Sequence, residues 1–293
     1  MFAWIILCVT LAEPAEIPDI SSVPPDLQVP AMQVGDPQAG KRIRQVTPGY
    51  ERTQVYHALY LPSDWKPDRR SPVIVEFAGN GGYRNRFGDA STGKPEDSRM
   101  GYGISAGAEF LWICLPYLNN AGDATVTNWW GDPPTYDVRP TLEYCRRTVR
   151  FVCEKFGGDP DKVILAGFSR GAIACNYVGL HDDETAKLWR GFVAFSHYDG
   201  VIEKWPYPGA DRESARRRLQ RLAGRPQFIC AESSPVAGAS LAATEVYLAT
   251  TGAKAPLTFV STGFRNHSDA WLLRPSPART KLREWLTNVL REE

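Results

Sequence analysis

The folds open to this chain are limited by a series of short runs that are apolar at nearly every position rather than at every second one. These are "PVIVEF" (72–77), "FLWICLP" (110–116), "KVILA" (162–166), "GFVAFS" (191–196), "PQFICA" (226–231) and "PLTFVS" (256–261). A strand with one face in water alternates apolar and polar residues, whereas one covered on both faces has no reason to. "VYHALYL" (55–61) reads as a further strand, set off from 72–77 by the polar turn "DWKPDRR". Helical patterns lie between the later runs. From Val138 to Phe156 a stripe of Leu142, Cys145, Val149, Val152, Cys153 and Phe156 follows the 3.6 period. Asp211 opens another helix that ends before Gly224, and "LAATEVYLAT" stops at Gly252. The last helix takes Ser276 as cap and Pro277 in its first turn, then runs through Leu282, Trp285, Leu286 and Leu290. Alternation of this kind predicts an α/β fold with a mostly parallel central sheet covered by helices on both faces. Right-handed crossovers then put the carboxyl ends of the parallel strands along one edge, where ligands bind.

The 293 residues suffice for one large α/β domain, expected over 41–293. Residues 13–40 are rich in proline and polar residues and aperiodic, and read as an extended leader or linker. "FAWIILCVTLA" (2–12) is too short to span a bilayer as a helix, so no stable membrane insertion is expected. It suits the core of a signal peptide cut near Glu13, which implies a secreted or periplasmic protein. No Lys or Arg precedes it, and the alternative is an N-terminal strand of a cytoplasmic chain. With 23% charged residues and a formal net charge of +1, nothing draws the chain to nucleic acid. The basic run Arg216-Arg217-Arg218 sits near Asp211 and Glu213 and reads as a solvated helix face. Cys8, Cys114, Cys145, Cys153, Cys175 and Cys230 show no CxxC spacing, so buried free thiols are expected rather than a disulfide framework. His57, His181, His197 and His267 are scattered, which supports neither a metal site nor any other cofactor. The oligomeric state is not written in the sequence.

"VILAGFSRGAIAC" (163–175) carries the chemistry. Gly167-Phe168-Ser169-Arg170-Gly171 joins a predicted strand to a predicted helix, the context of a nucleophile elbow. The turn is tight enough that side chains at 167 and 171 would clash, and glycine removes the clash. A serine hydroxyl becomes a useful nucleophile only when a base takes its proton. His267, in "GFRNHSDAW" after the last strand, is placed for that work; His197 is the competitor but leaves its strand directly. The acid that orients the histidine is Asp199, in "SHYDG", or the alternative Glu232, in "CAESS"; Asp269 is expected to point away. Oxyanion donors are expected from the backbone N–H of Arg170 and, in "AGNGGYRN", of Asn80, with Gly81 as the alternative. Trp129, Trp130, Tyr198 and Trp271, together with Tyr136 and Trp205, lie on loops at the ligand-binding edge and could line a substrate cleft or pack a lid and core.

On these residues the chain resembles an α/β-hydrolase over about 50–290, in the esterase branch that includes feruloyl esterases and poly(3-hydroxybutyrate) depolymerases. "HALYLPSDW" and "PVIVEFAGNGG" are similar to that branch's opening strands, with Ala78 where a histidine is usual and Gly79 kept. "GGDPDKVILAGFSRGA" resembles its segment into the elbow, and "NHSDAWLLRPSPARTKLREWL" its histidine segment and closing helix. The resemblance implies serine carboxylic-ester hydrolysis through an acyl-enzyme at Ser169 and His267, on carbohydrate-linked or polyester acyl groups, with Asn80 and Arg170 as the oxyanion hole. It leaves the acid open, because the acidic loop motif after 226–231 is altered. The rival readings are a prolyl-oligopeptidase-like peptidase and a non-catalytic binding protein on the same scaffold.

Overall fold

A computed structural model describes residues 16–233 and 240–291, so the candidate signal peptide at 1–12 lies outside the described residues. The sheet strands, in chain order, are β1 (Met32–Gln33), β2 (Arg42–Gln45), β3 (His57–Tyr60), β4 (Ser71–Phe77), β5 (Leu111–Leu115), β6 (Gly158–Phe168), β7 (Gly191–Phe195), β8 (Gln227–Ala231) and β9 (Leu257–Ser261). The helices are α1 (Met100–Ser105), α2 (Arg139–Phe156), α3 (Arg170–Tyr177), α4 (Asp183–Ala186), α5 (Arg212–Leu219), α6 (Leu241–Ala249) and α7 (Pro277–Arg291). All nine strands form one sheet in the order β1-β2-β3-β5-β4-β6-β7-β8-β9. From β5 to β9 every pairing is parallel, while β3 runs antiparallel to both β2 and β5. The α/β architecture read from the apolar runs is the one observed.

Each apolar run serves two cores because successive side chains on a strand point to opposite faces. In β4, Val73, Val75 and Phe77 enter a core shared with Leu142, Val149 and Ile173, while Ile74 enters the other, with Met100, Ile104 and Leu282. β6 divides in the same way, with Val163 and Leu165 on one side and Ile164, Ala166 and Phe168 on the other. Each such large side chain contributes about 1.5–3 kcal/mol when taken out of water. The helix ends follow their signals. Asp211 and Ser240 accept hydrogen bonds from the first turns of α5 and α6, and Ser276 Oγ accepts from the Arg279 N–H in α7. α2 stops at Gly157, whose φ of 76° lies in the left-handed region.

Two expectations need correction. Residues 16–40 are extended but are not a free linker. The Ile20 N–H donates to Asn266 Oδ1 at 2.7 Å, Asp26 receives Arg279 in two hydrogen bonds of 2.6 and 2.5 Å, and β1 adds a strand beside β2. Asn266 and Arg279 lie about 250 positions from their partners, so local composition carries no sign of those contacts. The basic run is not one solvated face either. Arg216 and Arg217 pair with exposed Glu213, but the side chain of Arg218 turns inward and is only 9% exposed. Among the described residues the cysteines are free, with Cys114, Cys145, Cys175 and Cys230 buried. None of the described helices is long and apolar enough to cross a membrane.

Candidate active site

β6 ends at Phe168, α3 begins at Arg170, and Ser169 takes the whole turn with φ 55° and ψ −114°. A non-glycine residue held there stores strain that the surroundings must enforce. They do so on both sides. A Cβ at Gly167 would lie 2.0 Å from the Gly171 carbonyl oxygen, and one at Gly171 would lie 1.9 Å from the Phe77 carbonyl oxygen. Only glycine lets α3 approach β6 and β4 this closely. The Ser169 N–H donates to the Phe195 carbonyl at 2.9 Å, which pins the turn to the neighbouring strand end. Ser169 is partly exposed, and its hydroxyl forms no hydrogen bond among the described residues. Free N–H groups at the start of α3 make the space beside it favourable to negative charge.

His267 reaches the elbow from the loop after β9. Its ring packs on Phe168, the residue before the serine, at 4.7 Å between centroids, and on Tyr83 at 4.9 Å. Its backbone N–H donates to Asp89 Oδ2 at 2.9 Å, and Asp89 Oδ1 accepts from Asn266 at 3.0 Å, so one carboxylate fixes two successive residues of the loop. Sequence reasoning missed Asp89, which lies in a stretch with no periodic signal.

Nδ1 of His267 donates to Oε1 of Glu232 at 2.9 Å. Glu232 follows β8 directly and is 5% exposed, and its Oε2 is buried with no hydrogen-bond partner among the described residues. Asp199, the first choice for this position, does not reach the histidine. It is held by Arg218 in two hydrogen bonds of 2.8 and 2.9 Å, with the carboxylate side chain 1% exposed. The reason is the inward turn of Arg218, which captures the Asp199 carboxylate.

Ser196, also unforeseen, completes the polar cluster. Its φ of 86° aims the hydroxyl at the dyad, where it donates to Glu232 Oε1 at 3.2 Å and lies 2.9 Å from Nδ1 of His267. His197 Nδ1 stands 3.1 Å from the same hydroxyl. Burial, with a smaller effect from the nearby His267, pulls the His197 pKa down to about 3, so its imidazole is neutral at ordinary pH. The donors then balance in one arrangement: His197 donates to Ser196, and Ser196 and His267 both donate to Glu232. That leaves Nε2 of His267 as the free basic nitrogen.

The loop after β4 holds Asn80 and Gly81, the two candidate donors. The Asn80 backbone N–H has no partner among the described residues, and its side-chain Oδ1 accepts from the Trp129 N–H at 2.9 Å. Gly81, the alternative, is not available, since its N–H donates to the Thr127 carbonyl at 2.7 Å. Of the aromatics assigned to a cleft, Trp130, Tyr198 and Trp271 are 0%, 3% and 1% exposed and belong to the cores. Trp129 is partly exposed and packs on Trp205 at 4.8 Å between centroids, while Trp205 lies 5.9 Å from His197. These rings form a wall beside the histidine. No group of metal-ligating side chains occurs among the described residues.

A buried carboxylate, an imidazole with one nitrogen fixed, and a serine on a strained turn beside a helix N-terminus can together carry acyl transfer. No family model matches the chain. Over 178 residues it is 27% identical to Lipase 1 of Geotrichum candidum, a match covering 58% of this chain and 30% of that protein. The chain thus spans about a third of the length of that curated relative. Among solved structures it superposes on a thermostable esterase from Pseudomonas putida with a TM-score of 0.56 and 16% identity, over 94% of this chain and 88% of that one. An S-formylglutathione hydrolase from Agrobacterium tumefaciens gives a TM-score of 0.56 and 15% identity, over 87% and 97%. The fold is the α/β-hydrolase fold.

Proposed function

We propose that the chain is a serine carboxylic-ester hydrolase with Ser169 as nucleophile, His267 as base and Glu232 as the acid. The observation that carries this reading is the Glu232–His267 hydrogen bond of 2.9 Å, made behind a ring that packs on the elbow residue Phe168. The likeness to a lipase supports the same bond class. In the proposed cycle Nε2 of His267 takes the Ser169 proton as Oγ attacks the ester carbonyl carbon. The tetrahedral oxyanion forms beside the Asn80 and Arg170 N–H groups, and the imidazolium that appears is balanced by Glu232. Collapse breaks the C–O bond, and His267 returns the proton to the leaving alcohol. Water, deprotonated by the same nitrogen, then releases the acid from the acyl-enzyme and restores the Ser169 hydroxyl.

The partly exposed Trp129 and Trp205, their rings inclined at 52°, give an apolar corner against which a ring could rest, so carbohydrate-linked or aromatic acyl esters are the proposed substrate class. Labelling with a fluorophosphonate, followed by a panel of p-nitrophenyl, feruloyl and polyester substrates, tests the reading. Ser169 should carry the label, and Ser169→Ala should lose both label and turnover while keeping its melting temperature. A folded protein that hydrolyses esters with Ser169 unlabelled would overturn it, and peptide turnover matching ester turnover would favour a peptidase.

A further inference from the structure

Arg170 stands immediately after the proposed nucleophile, and its side chain is 1% exposed. Nη1 donates to the Trp129 carbonyl at 2.5 Å, and Nη2 to the carbonyls of Gly79 at 2.9 Å and Gly93 at 3.3 Å. The guanidinium carbon lies 3.8 Å from the centroid of the Tyr117 ring, and the Tyr117 hydroxyl donates to the Ala78 carbonyl at 3.1 Å. Of the other buried arginines, Arg218 and Arg279 each face an aspartate, while Arg42 holds the carbonyls of Pro95, Glu96 and Ser98 and pairs with no carboxylate among the described residues. Arg170 faces no carboxylate within ion-pairing distance among the described residues, and its Nε is buried without a partner. Burial lowers its pKa to about 10, which still leaves it charged at neutral pH.

Two features of this arrangement go together. The carbonyls held by the side chain belong to the residue before Asn80 and to the residue that Asn80 itself holds through Oδ1. The backbone N–H of Arg170 is the other expected oxyanion donor. One residue thus supplies a donor and fixes the loop that supplies its counterpart. A neutral amide could hold carbonyls without the cost of a buried charge, and a cation left uncompensated in a dry site is favoured most when negative charge develops nearby.

We propose that the Arg170 side chain is a positioning residue for the oxyanion hole, clamping the Gly79–Asn80 turn and the Trp129 loop to the elbow and stabilising the anionic transition state with its unpaired charge. This rests on the esterase reading above. The test compares the full-length wild type with Arg170→Lys and Arg170→Met, measuring kcat and KM per titrated active site, Ki for an alkyl boronic acid that forms a tetrahedral adduct, and melting temperature. Arg170→Met should lower kcat about 100-fold with KM within about threefold, since a slight misplacement of catalytic groups or the loss of an oxyanion donor has effects of that order. The boronate Ki should rise in step. Arg170→Lys, with the charge back but the fork lost, should recover to within about tenfold of wild type. If the methionine variant does not fold, the lysine variant decides, since it should still lose severalfold in kcat and in boronate affinity. A lowered melting temperature with kcat and Ki within twofold of wild type would reduce the side chain to a structural clamp and overturn the proposal. A wild type that labels at Ser169 and turns over esters while the variants match it sinks this inference alone; a wild type with neither property sinks the esterase reading and this inference with it.

Discussion

The ends of β7 and β8 lie side by side, and each delivers a buried carboxylate within a few residues of its strand, yet the two carboxylates have different partners. Asp199 meets a guanidinium in paired geometry and is neutralised there. Glu232 meets an imidazole through one oxygen, with the other oxygen left dry. The first arrangement holds α5 against the sheet through Arg218. In the proposed cycle the second arrangement would balance the imidazolium formed at His267. Burial alone therefore does not separate the proposed acid from a structural carboxylate; the partner does.

Substitutions at the two ends should separate chemistry from stability. The largest effect is expected from Glu232→Gln, which keeps the shape but presents the imidazole with the wrong tautomer; by analogy with loss of the triad acid elsewhere, kcat should fall by about 10³–10⁴ with little change in melting temperature. Steady-state kinetics on a p-nitrophenyl ester check this, and a loss under tenfold would remove Glu232 from the proposed triad. Asp199→Asn should do the reverse. Leaving Arg218 buried without its counter-charge is expected to cost about 3–5 kcal/mol in a denaturant titration, while kcat per folded molecule stays near wild type.

Acid should act through the histidines that are buried neutral. Burial lowers the pKa values of His57 and His197 from 6.5 to about 3. Below pH 6.5 the unfolded chain takes up protons that the folded chain refuses, so this stability is present above 6.5 and is lost as pH falls toward 3, by about 1.4 kcal/mol per pH unit for each histidine. Replacing His57 by Gln should flatten the acid side of a melting-temperature profile. Ser196→Ala is expected to have the smallest effect, about fivefold in kcat, the size of one net hydrogen bond of about 1 kcal/mol.

The elbow could be read from sequence because its geometry is enforced by the backbone, and steric exclusion at Gly167 and Gly171 admits one residue type. The strands could be read because burial on both faces removes alternation, as in β6 and β7. The proposed acid could not, since chain order places Asp199 and Glu232 at neighbouring strand ends and the choice depends on Arg218, which approaches from a helix. The aromatics were ambiguous for a related reason: Trp129 and Trp130 are adjacent, yet one is partly exposed and the other fully buried. Asp89 and Ser196 gave no signal because their roles arise from a loop contact and an unusual φ, neither of which has a periodic signature.

Residues 16–31 hold the polypeptide on both sides of His267, the proposed base. Asp19 binds Arg265, Asn266 binds Ile20, and further along Arg274 and Arg279 grip Val23 and Asp26. A cut in this segment would leave the sheet and the elbow whole while slackening the stretch that carries the imidazole. The proposed turnover would then fail before circular dichroism registers any damage, which would make it a gauge of whether this early stretch is seated.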